Sequence, residues 1–456
     1  MSGIHPENLT KEETTYIVNT CLSIKNKTDY GIDNLLFKFK NAKINDLDLF
    51  SYILSNNNTF NLSPKQIMST IDKIDINNQT IDNIPASIYI VKYNKTKNLN
   101  LSPNQILSLI NKSNLDLKDN NSRTLSIHII KNNNYQKINL PQEQILSIIE
   151  KSDLSAKDSY GLTLPIHVIL NNKKENLNLS PENILRILEK IDLLKQYTYG
   201  YTLPMHMFAN NRNQNLNLSS EQIMGILEKT DLSIQNDSGW TITMCLLSDN
   251  KYQNLNLSPN QIMSILEKSD LSKQDNNGFT LPMCILYNNK NNNLNLSPNQ
   301  IMAILEKTDL SIQDNDENTT IIYVLKNNKT QNLNLSTKQI FTLIEKAKIY
   351  DLKTIKYILK HNKNQNLHLQ QDHILSLIKK TDPSLLNNNL ISTFFSNLGK
   401  EYEMSDKHLY KIINIFNTKI KNISTTNKEK IHQIILHHEI KKNTPIKNKI
   451  KNTIKL

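Results

Sequence analysis

Apolar residues return along this chain on two superposed periods. In "LPMCILYNN" (281–289), Leu281, Cys284 and Ile285 follow the i, i+3, i+4 spacing of one buried helical face, and in "SPNQIMAILEK" (297–307) Ile301, Ile304 and Leu305 do the same. Over a longer range the same columns recur every 39 residues: isoleucine stands at Ile67, Ile106, Ile145, Ile184, Ile223, Ile262, Ile301 and Ile340, with no insertion or deletion between them. A fixed period of this size marks a solenoid, in which each repeat is one supersecondary unit that buries its apolar face against its neighbours. The pattern predicts an all-α fold of two-helix repeats stacked into an elongated solenoid.

The periodicity also divides the chain. We expect an irregular N-terminal cap over 1–40, eight 39-residue repeats over 41–352, and a shortened repeat over 353–387, where Ile340 to Ile374 is 34. Divergent C-terminal helices over 388–440 and a basic tail over 441–456 follow. Within the repeat 275–313, "DNNG" predicts a turn in which Gly278 takes positive φ, Thr280 sits where a helix N-cap belongs, and Pro282 falls in the first turn. "LNL" is expected to be an extended connector with Leu294 and Leu296 on one side. Ser297 and Gln300 form a capping box, repeated at Ser258 and Gln261 and at Ser102 and Gln105. Helices of about 8–11 residues are marginal alone in water, so stacking must supply the stability.

Composition narrows the function. The chain has 456 residues, a formal charge of +12, only 8 glycines and 3 cysteines. Scarce glycine argues against phosphate-cradling loops, and few cysteines argue against a disulfide framework. Cys245 and Cys284 share a repeat column and are expected in the core, because column neighbours about 8–10 Å apart exceed the reach of a disulfide. Lysine forms a ladder at Lys73, Lys112, Lys151, Lys190, Lys229, Lys268, Lys307 and Lys346, with Lys380 next, and glutamate directly precedes six of these lysines. The ladder is expected to be largely neutralised in place, its ammonium groups offsetting helix dipoles. The unbalanced charge is the tail "KKNTPIKNKIKNTIKL".

No catalytic, cofactor or metal site is expected. The motifs G-x-S-x-G, G-K-[ST] and H-E-x-x-H are absent, and in "IHQIILHHEI" the position four after His432 is Leu436, so His437, His438 and Glu439 do not complete a zinc helix. The start shows no secretory pattern and no apolar run of membrane-spanning length, so the expected location is cytoplasmic, or exported without a conventional signal peptide. A monomer is expected.

"D-x-x-G-x-T-L-P-x-H", a second helix ending in "I-L-E-K" and then "D-L-S" together resemble the ankyrin repeat. The match is best in 158–196 and 275–313, fair in 119–157, 197–235 and 236–274, and poor in 41–118 and 314–352. Two departures are a period of 39 against about 33, with the extra residues in the "NLNLSP" connector, and an exchange of leucine and proline after the threonine. The resemblance implies that His128, His167 and His206 bond to the hydroxyls of Thr124, Thr163 and Thr202 as scaffolding. It also implies that turn tips and the first-helix face bind a protein partner, which points to Tyr160, Leu162, Tyr199, Tyr201, Trp240 and Phe279 as partner-binding residues, and to no enzymatic activity. The bias toward Asn, Lys and Ile suggests an A+T-rich genome, and such arrays are familiar from intracellular bacteria, which makes a host protein the expected partner. The alternative is a nucleic-acid-binding helical array that uses the lysine ladder and tail. Weak nonspecific nucleic-acid binding is expected in either case.

Overall fold

The computed structural model describes residues 47–348, 350–398, 400–419, 424–429 and 431–433, with isolated positions 12, 15, 16, 19, 43 and 44 before them. Most of the expected N-terminal cap, Cys21, the His437–His438–Glu439 cluster and the basic tail lie outside the described residues. The chain forms two compact units, Met1–Thr230 with Gln253–Leu255, and Asp231–Tyr252 with Asn256–Leu456.

Each unit is built from helix pairs. The first holds Leu49–Ser55 and Pro64–Ile71, Ala86–Tyr93 and Pro103–Lys112, Leu125–Asn132 and Gln142–Lys151, Leu164–Asn171 and Pro181–Leu188, and Leu203–Phe208 and Ser220–Leu227. The second holds Ile242–Asp249 and Pro259–Glu267, Leu281–Asn288 and Pro298–Lys307, Thr320–Asn327 and Thr337–Ala347, and Leu352–His361 and Gln371–Lys380, then Asn388–Asn397 and Asp406–Lys419. Within each unit the first helices of successive repeats pack on one another, giving an all-α repeat solenoid. Strand among the described residues is confined to two-residue hairpins, such as Thr80–Ile81 with Ile84–Pro85, and to single bridges such as Gln274 with Thr280 that close the turns.

Local sequence explains the second helices. Ser63, Ser102, Ser219, Ser258, Ser297 and Ser336 each accept from the backbone N–H three residues on, while the Gln at that position accepts from the serine N–H. The isoleucine column from Ile67 to Ile340 is at most 1 % exposed. First helices differ from the expected one-faced pattern. In Leu281–Asn288 the residues Leu281, Pro282, Met283, Ile285 and Leu286 are all buried, because the helix lies against neighbouring first helices as well as its own partner.

The connector also departs from expectation. It is not extended, since both asparagines of "NLNL" are left-handed, with φ 53 at Asn293 and φ 51 at Asn295. Asparagine tolerates that region better than other side-chain-bearing residues. The two leucines still face inward, Leu294 and Leu296 being buried.

What holds the connector is a buried asparagine that ends each first helix. The Oδ1 of Asn172 accepts from the Leu179 N–H at 2.8 Å, and its Nδ2 donates to the Gln214 carbonyl of the next repeat at 3.2 Å. Asn94, Asn133 and Asn211 do the same in the first unit, and Asn250, Asn289, Asn328 and Asn362 in the second. A second rung lies beside it: Gln136 Oε1 accepts from the Lys95 and Thr96 N–H groups, and Glu175 Oε2 from those of Asn134 and Tyr135. These side chains satisfy backbone groups that the helix end would otherwise leave unpaired. The residues beyond a 33-residue period are thus part of the stacking interface.

Candidate protein-interaction turns

In five repeats the turn before the first helix is organised by one acceptor, at Asp119, Asp158, Asn236, Asp275 and Asp314. Asp158 Oδ1 accepts from the N–H groups of Tyr160 and Leu162, Asp275 Oδ1 from those of Asn277 and Phe279, and Asn236 Oδ1 from those of Ser238 and Trp240. Gly278 has φ +79, and a Cβ there would lie 2.8 Å from the Asp314 Cα of the next turn, so at this junction a side chain would force the two turns apart. Successive turns are joined directly, Ser159 N–H to the Asn121 carbonyl and Asn315 N–H to the Asn277 carbonyl, both at 2.9 Å.

The expected histidine-to-threonine bond is not made. His128 Nε2 lies 2.9 Å from Asp119 Oδ2 and His167 Nε2 3.1 Å from Asp158 Oδ2, the same aspartate that organises the turn. An ionised carboxylate is a stronger acceptor than a hydroxyl. Thr124 instead caps its helix by accepting from the Ile127 N–H. The aspartate nine residues upstream was the signal: where the column holds Tyr323, its hydroxyl donates to Asp314. Where Tyr197 replaces the aspartate, His206 packs against the Tyr201 ring, with centroids 5.3 Å apart. Burial pushes all three imidazoles down to about 4, against the pull of the carboxylate at His128 and His167, so they are neutral at pH 7. Burial alone would raise Asp119, but the Arg123 N–H, the His128 imidazole and the Asn121 N–H outweigh it and hold the carboxyl below the usual range. These groups are scaffolding, and among the described residues no three His, Cys, Asp or Glu side chains gather as metal ligands.

The six partner-binding candidates fall into two kinds. Tyr199 is 73 % exposed and Tyr160 60 % exposed, whereas Leu162, Tyr201, Trp240 and Phe279 are half-buried. Phe279 packs on Tyr323 of the following repeat at 5.3 Å, so its ring joins turns. Tyr160 lies beneath the Arg123 guanidinium, 5.4 Å from its centroid, and Arg123 Nε is also 3.6 Å from Asp158. Tyr160, Leu162, Tyr199 and Tyr201 belong to the first unit, Trp240 and Phe279 to the second. Tyr199 has φ +60, an unusual conformation for a bulky residue, and stands at the apex of a short 3-10 turn, Thr198–Gly200. In the first helices from Ala86–Tyr93 to Thr320–Asn327 exposure is concentrated in the last turn, chiefly at Tyr287, whereas Leu352–His361 also exposes Lys353 in its first turn.

Three lysines of the ladder form ion pairs, though not with the glutamate next in sequence. Lys112 meets Asp72 of the preceding repeat at 2.7 Å, Lys190 approaches Glu150 at 3.9 Å, and Lys380 pairs with Glu345. Cys245 is buried as expected and Cys284 half-buried at the edge of the core; both are free, with desolvation pushing the thiols up to about 12, which disfavours the reactive thiolate. No helix among the described residues is long and apolar enough to cross a membrane.

No protein-family model matches the chain, and no curated protein matches it. Solved structures do. The ankyrin repeat domain of Bcl-3, described as a unique member of the IkappaB protein family, is 15% identical over 54% of this chain and 94% of its own, with a TM-score of 0.33. The ankyrin repeat protein EF0377 is 16% identical over 45% of this chain and 91% of its own, with a TM-score of 0.31. A chain of the complex between a predatory endopeptidase from Bdellovibrio bacteriovorus and an immunity protein is 16% identical over 50% of this chain and 100% of its own, with a TM-score of 0.31. By its own repeat geometry, with a bridged turn, a threonine-started first helix and a second helix packed on it, this chain has an ankyrin-like repeat fold.

Proposed function

We propose that the chain is a non-enzymatic scaffold that binds a protein partner through its turn tips, with Tyr199 and Tyr160 as the principal anchors. The observation that carries this reading is Tyr199: a left-handed, non-glycine residue that presents a ring 73 % exposed. Strained conformations persist where surrounding structure holds them, and large exposed aromatics are enriched among binding hot spots. Tyr201 and Phe279 pack on neighbours and act mainly as support, with Leu162 and Trp240 contributing half-exposed surface beside the anchors. A host protein remains the partner class that the array and its composition favour. Nucleic-acid binding along the ladder is disfavoured by the ion pairs of Lys112, Lys190 and Lys380 and by the glutamates that alternate with its lysines, which leaves weak, salt-sensitive binding through 441–456.

The test places a photo-crosslinking amino acid at Tyr160, identifies the partner captured from host-cell lysate, and then titrates that partner against wild type and Tyr199→Ala. Loss of an anchor should weaken binding by about 1–2 kcal/mol, roughly 5–30-fold, without change in helicity. Unchanged affinity in Tyr199→Ala would refute the assignment.

A further inference from the structure

A second feature breaks the repeat on a different face, between the second helices Pro181–Leu188 and Ser220–Leu227 of adjacent repeats. Two repeats earlier the equivalent groove has a volume of about 340 Å³, and its single charged lining residue is Lys151. Here the groove widens to about 590 Å³.

Three substitutions within the repeat pattern alter the size or the lining of the groove. Ile191 stands where Ser113 and Ser152 bond their hydroxyls to the helix carbonyls of Leu109 and Ile148. Leu194, 49 % exposed, stands where Ser155, Ser272 and Ser311 bond to the preceding aspartate. Gly225 stands where the earlier groove has Ser147, and a Cβ built on it would meet nothing within 4 Å. A mid-helix glycine weakens a helix, and neither a close contact nor a positive φ requires it here. Ile191 and Leu194 give up local hydrogen bonds and add apolar surface, while Gly225 gives up helix propensity and opens space in the same groove.

The rim changes in the same place. Glu189, Asp192 and Glu228 line it with one cation, Lys229, so the lining is net acidic on a chain whose overall charge is +12. An apolar floor between two side-by-side helices, bordered by carboxylates, matches the requirements of a helix-in-groove interaction.

We infer that this groove docks an amphipathic helix of a partner protein, one with an aliphatic i, i+4 stripe flanked by lysine or arginine. The site is independent of the turn-tip reading, because it lies on the second helices and uses none of the turn aromatics.

Two fluorescent 18-residue peptides test it against the full chain by anisotropy. Both carry a leucine stripe at i, i+4, i+7 and i+11, one with lysine and the other with glutamate at the flanking positions. The lysine peptide should bind at least about tenfold more tightly than the glutamate peptide, against the direction of the overall charge. Gly225→Met, which fills the groove, and Leu194→Ser, which restores the repeat residue, should each weaken it at least about tenfold. Because Gly225→Met fills open space and replaces a helix-weakening residue, its melting temperature should be unchanged or raised, which separates blockade from misfolding. Equal binding of the two peptides, or lysine-peptide binding indifferent to both substitutions, would overturn the proposal. So would sedimentation showing a dimer that Gly225→Met dissolves, since a second copy would then be the occupant.

Discussion

Replacing Asn172 by alanine tests the stacking interface most directly. The side chain is 1 % exposed, accepts from the Leu179 N–H at 2.8 Å, and donates to the carbonyls of Leu179 and Gln214 at 3.3 and 3.2 Å. Alanine leaves the buried Leu179 N–H with no acceptor and removes the donor to the next repeat. A buried group left unpaired costs about 1–3 kcal/mol, so the N–H together with the half-buried Gln214 carbonyl predicts a loss of about 2–4 kcal/mol. Asn172→Asp keeps the acceptor but sets a carboxylate against two carbonyl oxygens. It should be at least as damaging at pH 7 and partly relieved in acid, where the protonated carboxyl can donate. Hydrogen exchange at the Leu179 amide reads the local effect, and urea unfolding of the full chain reads the global one. Lys173→Ala, one residue away and exposed, is the control and should stay within about 0.5 kcal/mol. If Asn172→Ala matched that control in both assays, the asparagine ladder would not be a stabilising element.

His167→Ala should cost about 1–3 kcal/mol in urea unfolding by removing a buried partner of Asp158, and should release no metal by elemental analysis. Stability should fall on acidification between about pH 6.5 and 4: unfolded imidazoles take up protons near 6.5, while folded His128, His167 and His206 resist until about 4, so the unfolded state binds more protons in that window. The contribution is fully present above the upper limit, is of the order of 1–3 kcal/mol per histidine, and His206→Cys, the residue this column uses elsewhere, should flatten the pH dependence of the urea midpoint. Gly278→Ala should lower stability by about 2–3 kcal/mol, since it combines φ +79 with a Cβ against backbone; a melting temperature equal to wild type would contradict that geometry.

The period, the capping boxes and the isoleucine column were legible because each is a local pattern repeated in phase. The connector was not. Asn94, Asn133 and their equivalents stand among other asparagines, so a constant column did not stand out from the background, and the bonds between repeats reach residues 37 to 42 positions away. The histidine partner is not legible because the family pattern points to the threonine four residues upstream, while the aspartate nine upstream reaches the ring across the turn. Among the turn aromatics, sequence could identify rings but not separate Tyr199, which faces solvent, from Phe279, which lies on Tyr323. That difference depends on the neighbouring repeat.

The asparagine bonds also decide where this gene can tolerate editing. From Asn94 to Leu101 through Asn362 to Leu369 the connector always spans seven positions, even in the repeat where the spacing drops to 34. The five missing residues therefore fall outside the connector, in the turn region between Ala347 and Leu352. An in-frame codon gained inside the connector would move the leucine amide off its asparagine and pull the adjoining carbonyl away from the donor, damaging two repeats at once. Recombination that adds or removes a whole unit would leave every such bond intact. Lineages of this array are thus expected to differ by complete units and by ragged turns, with connectors of constant length throughout.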